Sequence, residues 1–259
     1  RRDLRLRGPV GPGRSAPQRR ERAAAAPRPD PEQRVGRVVG REQRERAAAG
    51  VRLVRVPRAR RLRPHEADAR RVILNGAPDQ DTNTRWTRET AFLSDLFQIH
   101  LAPRDTDVVL DFGCGIGRLS KEIISRFDCR VVGVDIAANM RALASHYVNS
   151  SRFAVTHPDF LPALPADFFS VAIAVWALQH VRDPEMEIER MKVAIKPGGR
   201  FFVLNDIRFV PTTQGFCKDD IDVTALLKKH FKVREEIQIR DTLVEALIPR
   251  VHCAVYARE

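Results

Sequence analysis

Phe92, Leu93, Leu96, Phe97 and Leu101 recur at helical spacing until the run breaks at Pro103. One apolar helical face of this kind predicts that a folded core begins near residue 84. Beyond the break the rhythm alternates. Asp107 to Asp111 (DVVLD) predicts a short buried strand, Leu119, Ile123, Ile124 and Phe127 share one face of a helix, and Arg130 to Asp135 (RVVGVD) predicts a second strand. This is a β-loop-α-β unit. Further strands are predicted over 152–156, 169–175 and 200–204, with helices near 137–147 and 184–195. The second of these helices is well punctuated: Asp183 can cap it, Pro184 suits its first position, and Lys196-Pro197-Gly198-Gly199 stops it. A last helix (219–230) and two strands (232–240 and 251–257) end the chain without a further crossover, so this pair can close the sheet as an antiparallel hairpin. The predicted fold is α/β, a doubly wound, mainly parallel sheet with helices on both faces.

Composition divides the 259 residues unevenly. The first 71 hold 22 Arg against 8 acidic residues, with no Lys and no aromatic side chain, whereas 72–259 carry 23 basic and 25 acidic residues. The net charge of +12 therefore belongs to the arm, and the core is close to neutral. An arm of Arg, Ala, Pro and Gly has too few large apolar residues to offset the entropy of ordering it, so residues 1–71 are expected to be disordered and 72–259 to form the folded domain. Dense Arg can tether a chain to RNA, DNA or an acidic surface, and nucleic acid is expected as a partner only through this arm. A transit peptide would be Arg-rich but poor in the acids interspersed here. A solvated tail, or an extension absent from the mature protein, are the remaining readings. Cys114, Cys129, Cys217 and Cys253 show no CxxC and no paired His spacing, which points to neither zinc nor a disulfide framework. No run approaches the roughly 18 apolar residues of a membrane span, and the expectation is a soluble, cytoplasmic protein.

The chemistry concentrates in VVLDFGCGIGRLS, residues 108–120. A strand ends at Asp111, glycines follow at 113, 115 and 117, and a helix opens. Glycine lets a ligand approach the backbone closely, and free N–H groups at a helix start favour a carboxylate or phosphate. Asp135, 24 residues after Asp111, ends the second strand, where a carboxylate can accept both hydroxyls of a ribose. A nicotinamide enzyme asks for G-x-G-x-x-G, but Arg118 stands where its third glycine belongs.

The D-x-G-x-G-x-G arrangement, Asp135, Asp159-Phe160 and the Lys196–Gly199 turn together resemble the Rossmann-like, class I S-adenosylmethionine-dependent methyltransferases over roughly residues 84–259. The resemblance implies a seven-stranded sheet of order 3-2-1-4-5-7-6 with strand 7 antiparallel. It implies S-adenosylmethionine as cofactor, with Asp111, Gly113, Gly115 and Gly117 around its methionine end, Asp135 on the ribose, Ile136 against adenine and Asp159 on the adenine amino group. Phe160 would offer a backbone N–H or an apolar wall. Trp176 and Trp86 are candidate walls or lids of the same site, each with core packing as its alternative. VWALQHV, residues 175–181, resembles the segment after the fourth strand in small-molecule methyltransferases and is not the N/D-P-P-Y/F signature of base-methylating enzymes. A small-molecule methyl acceptor is expected, an RNA or protein substrate or a non-catalytic cofactor-binding protein being the alternatives. His180 and Asp206 are the candidate catalytic residues.

Overall fold

The computed structural model describes residues 66–74, 81–206, 221–239 and 251–259. Two helices enter first, α1 (Glu66–Ile73) and α2 (Thr82–Leu96), the second continuing into one wide π turn at Phe97–Leu101. The sheet and its crossovers follow: β1 (Val108–Phe112), α3 (Arg118–Phe127), β2 (Arg130–Val134), α4 (Ala138–Val148), β3 (Phe153–Thr156), a 3₁₀ turn (Pro158–Ala163) and β4 (Phe169–Val175). After a short 3₁₀ turn (Leu178–His180) come α5 (Pro184–Ala194), β5 (Ile195–Asp206), α6 (Val223–His230), β6 (Lys232–Glu236) and β7 (Val251–Ala257).

The strands form one seven-stranded sheet in the order β3-β2-β1-β4-β5-β7-β6. β1 to β5 pair in parallel, and β7 runs antiparallel to both β5 and β6. The expected topology is the one observed. Its cause is visible in the pleat, which sends alternate residues of each central strand into two separate cores. On one face Leu110, Ala172, Phe201 and Tyr256 pack with Ile188 and Met191 of α5 and Leu227 of α6. On the other, Val109, Ile173, Phe202 and Val255 meet Leu93 and Phe97 of the entry segment and Leu119 and Ile123 of α3. The apolar stripe of residues 92–101 thus covers one face of the sheet, with Phe97 edge-on to Phe202 at 5.1 Å.

Three expectations need correction. Helix α1 runs across residue 71, and its Ala69 is buried with Trp86 and Ile116, so the ordered part begins inside the stretch that composition assigned to the arm. An Arg-rich, Ala-rich sequence hides such a helix because only one small apolar residue per turn is needed to dock it. The Lys196–Gly199 stretch does not stand outside the sheet as a turn. It is the irregular start of β5, where Ile195 already pairs with Phe169 and the register then shifts; Gly198 (φ +74°) donates its N–H to the carbonyl of Arg258. The last helix begins at Val223, because the Asp222 side chain caps it by accepting from the N–H of Ala225 at 3.0 Å. The disorder expected over 1–65 lies outside the described residues. Among the described residues no helix is long and apolar enough to cross a membrane.

Candidate active site

Parallel strands end together, so the residues that follow β1, β2, β3, β4 and β5 converge on one edge of the sheet. The chain passes from β3 across β1 and β2 to β4, which leaves a crevice between β1 and β4 at their carboxyl ends. Gly113 lies on one side of this switch point and Trp176 on the other. They are held close: a Cβ on Gly113 would lie 2.4 Å from the Ala177 Cβ, and Gly113 adopts φ +75°. Any side chain at 113 would therefore both strain the backbone and part the two strand ends.

The glycine loop is fastened from within. The N–H groups of Gly113 and Cys114 donate to the Val134 carbonyl at 2.8 and 3.0 Å, and that of Gly117 to the Cys114 carbonyl at 2.8 Å. Gly115 donates to the Asp135 carboxylate at 2.9 Å and is covered by Ile73 of α1. The N–H groups of these four residues are thus engaged, three holding the loop on the end of β2 and the fourth closing a turn within the loop. No local pattern announces this, since the acceptors on β2 lie about 20 residues downstream.

Asp111 is 3% exposed and turns toward α3, where its carboxylate accepts from the Ser120 hydroxyl at 2.6 Å. Burial pushes its carboxyl up to about 6, against the hydrogen bond from Ser120 and the nearby Arg118, which act in the opposite direction. Asp111 thereby ties down the helix that follows the loop while standing directly beneath it. Asp135 sits at the rim: its two oxygens accept from Gly115 and from Ala137, the latter at 2.8 Å. Arg141 clamps the same bend by donating to the carbonyls of Asp135 and Ile136 at 2.6 and 2.8 Å.

Next to Asp135, Ile136 is 77% exposed, and Phe160, beyond the adjacent strand β3, is 59% exposed. Two large apolar side chains are thus left open after neighbouring strands, the first of them next in sequence to the Asp135 carboxylate. The Phe160 N–H is already donated to the His157 carbonyl at 3.0 Å, so of its two expected roles only the apolar wall is open. Asp159 is exposed and engaged with Arg190 at 3.2 Å and with His157 at 3.3 Å.

Trp86 is buried, stacked between the guanidinium groups of Arg70 and Arg118 at 5.0 and 5.2 Å from its ring centre, and packed with Ile116 of the glycine loop. It docks α2 onto the loop. Trp176 holds a left-handed backbone (φ +54°), an uncommon conformation for a bulky residue, and donates its indole N–H to Glu89 at 3.1 Å. His180 lies on the exposed side of the turn after β4, its imidazole 3.3 Å from the Gln179 amide nitrogen; partial desolvation keeps it below its ordinary value and hence largely neutral near pH 7. Asp206 ends β5 on the same edge, but its side chain lies outside the described residues. Sequence reasoning missed Glu89, Ser120 and Arg141. Glu89 had a signal, a charge on the buried stripe of α2 between Trp86 and Leu93. Ser120 and Arg141 had none, because ordinary polar residues on helices acquire meaning only through what they reach. Glu185, Glu189 and His230 also cluster, but Lys229 already neutralises Glu185 at 2.5 Å, as in an ordinary surface ion pair.

Residues 110–203 match the methyltransferase domain family. The ubiquinone biosynthesis O-methyltransferase of Xylella fastidiosa is 35% identical over 100 residues, 37% of this chain and 40% of that enzyme. The chain spans less than half the length of the curated relatives it matches first. Among solved structures, the N-methyltransferase NodS of Bradyrhizobium japonicum WM9, in complex with S-adenosyl-L-homocysteine, superposes with a TM-score of 0.54 at 17% identity, covering 72% of this chain and 90% of NodS. The [4+2]-cyclase SpnF superposes equally well, TM-score 0.54 at 17% identity, over 71% of this chain and 86% of SpnF. Residues 110–203 therefore carry a methyltransferase-type domain, in a sheet that shares the fold of the S-adenosyl-L-homocysteine complex of NodS.

Proposed function

We propose that this chain transfers a methyl group from S-adenosylmethionine to a small-molecule acceptor by in-line displacement. The observation that carries the reading is the rim where the Asp135 carboxylate holds the glycine loop at Gly115 and is followed by the exposed Ile136, with the exposed Phe160 beyond the adjacent strand. The cofactor is cationic and carries an adenosine and an amino-acid end. Asp135 keeps lone pairs beyond its two backbone hydrogen bonds and would take the ribose hydroxyls. Ile136 and Phe160 would flank the adenine, and the loop over the buried Asp111 would lie beneath the amino-acid end. When bound, the sulfonium supplies an activated methyl with a good leaving group.

What remains for the chain is alignment and exclusion of water, the sources of most of the acceleration in such a transfer. A neutral amine acceptor needs little more. A phenolic hydroxyl must lose a proton, and His180, neutral and on the correct edge, would accept it. The likeness to an O-methyltransferase and to an N-methyltransferase makes phenols and amines the acceptors to screen, with labelled cofactor and the full-length chain.

Cofactor binding tests the core of the reading without an acceptor. S-adenosylhomocysteine should bind by calorimetry while NAD does not. Asp135→Ala should weaken that binding by about 1.5–3 kcal/mol, the range for charge-assisted hydrogen bonds, or roughly 10- to 150-fold. An unchanged dissociation constant in a variant with normal melting removes Asp135 from the site.

A further inference from the structure

Glu89 is fully buried at 0% exposure, at a point where three segments that share no strand pairing meet. Its Oε1 accepts from the Arg118 guanidinium at 2.8 Å and from the Trp176 indole at 3.1 Å, and its Oε2 accepts from Arg85 at 3.4 Å. Arg118 is the first residue of the helix after the glycine loop, and Trp176 is the first residue beyond β4. Burying a carboxylate with two guanidinium groups is a poor way to gain stability, because desolvation consumes much of the attraction, and well-packed apolar residues often do as well. Direction is what such a group adds. Trp176 needs direction, since its left-handed backbone (φ +54°) sets the path of Ala177, and Ala177 presses on Gly113.

We propose that Glu89 is a positioning residue for the cofactor site: from α2 it fixes the Trp176 indole and the Arg118 end of the glycine loop, so that Ala177 and Gly113 keep the spacing that shapes the crevice. The assignment rests on the cofactor-binding reading above. Glu89 is fully buried and acts through Trp176 and Arg118. The reach of its acceptor oxygen matters more than its charge, which separates it from a merely structural ion pair.

Three variants of the full-length chain test this: Glu89→Gln keeps the acceptor in place without charge, Glu89→Asp keeps the charge but withdraws the acceptor by one methylene, and Glu89→Ala removes both. S-adenosylhomocysteine affinity is measured by calorimetry below each variant's melting range. Trp176 emission is followed in a Trp86→Phe background, the chain having only two Trp. Displacements of about 1 Å in a site are costly. Glu89→Asp and folded Glu89→Ala should therefore bind about 10- to 100-fold more weakly, with shifted Trp176 emission, while Glu89→Gln stays within about 5-fold of the parent. Parent-like affinity and emission in Glu89→Asp overturn the proposal, whether or not Glu89→Ala folds. Affinities that follow charge, with Glu89→Gln the weaker binder of the two, overturn it as well. Failure of the unmodified chain to bind S-adenosylhomocysteine would instead strike at the proposed function.

Discussion

Asp111→Asn is expected to make the unliganded protein more stable at neutral pH, and the gain should vanish in mild acid. The Asp111 carboxyl is raised from its ordinary value of 3.8 to about 6 by burial. Between those values the folded protein holds a proton that the unfolded chain has lost, so stability falls as pH rises through the window and the loss is complete above about 6. A shift of this size corresponds to about 3 kcal/mol. Asn keeps the shape and the acceptor for Ser120, and it has no charge to bury. The difference in unfolding free energy between variant and parent should therefore move by about 2.5 kcal/mol in favour of Asn between roughly pH 4 and pH 7.5, as read by urea melts at the two values. Parallel stability curves would show that Asp111 is not the strained group.

A charge kept at that cost beneath the loop suits a cationic ligand. On the proposed function, a positive group above the loop draws the Asp111 proton off, so binding near pH 5.5 should release a proton and binding near pH 8 should not. Calorimetry in buffers of different ionisation heat reads this directly. Asp111→Asn should lose both the release and part of the affinity, the exchange of activity for stability common at ligand sites.

The parts of this molecule that were legible in the sequence are those that repeat a period. Strand runs such as VVLD and AIAV and the stripe from Phe92 to Leu101 give the sheet and its cover, because burial on a fixed geometry imposes a fixed spacing. Asp135 was legible for a different reason: it stands in register with the glycine loop on the neighbouring strand, and the structure hydrogen-bonds the two. What stayed hidden depends on reach across segments. Glu89 and Trp176 are 87 positions apart and share one hydrogen bond; Phe160 loses its N–H to a local turn that no pattern announces. Helix α1 was concealed by its composition, since a few apolar residues, Ala69, Ile73 and Leu74, anchor it among charged neighbours.

Gly117→Ala is expected to be damaging for two separable reasons, backbone strain and crowding. Gly117 starts α3 with φ +80°, and an alanine there costs about 1–2 kcal/mol for the left-handed backbone. Its Cβ would also lie 2.4 Å from Val148 Cγ2, at the buried end of α4, with the Phe153 ring at 3.5 Å. Forcing a methyl group into such a contact adds about 1–3 kcal/mol. The sum, about 2–5 kcal/mol by those two principles, is a large part of the stability of a domain this size. Gly198→Ala separates the two causes, because Gly198 has φ +74° and nothing within 4 Å of its would-be Cβ. That variant should lose only the backbone part, about 1–2 kcal/mol. Val148→Ala clears the space above residue 117, so in a double-mutant cycle it should be less costly combined with Gly117→Ala than in the parent, by the crowding part of the penalty. Equal losses in Gly117→Ala and Gly198→Ala, with additive behaviour in the cycle, would mean that α4 yields to the extra methyl and that backbone strain alone sets the cost.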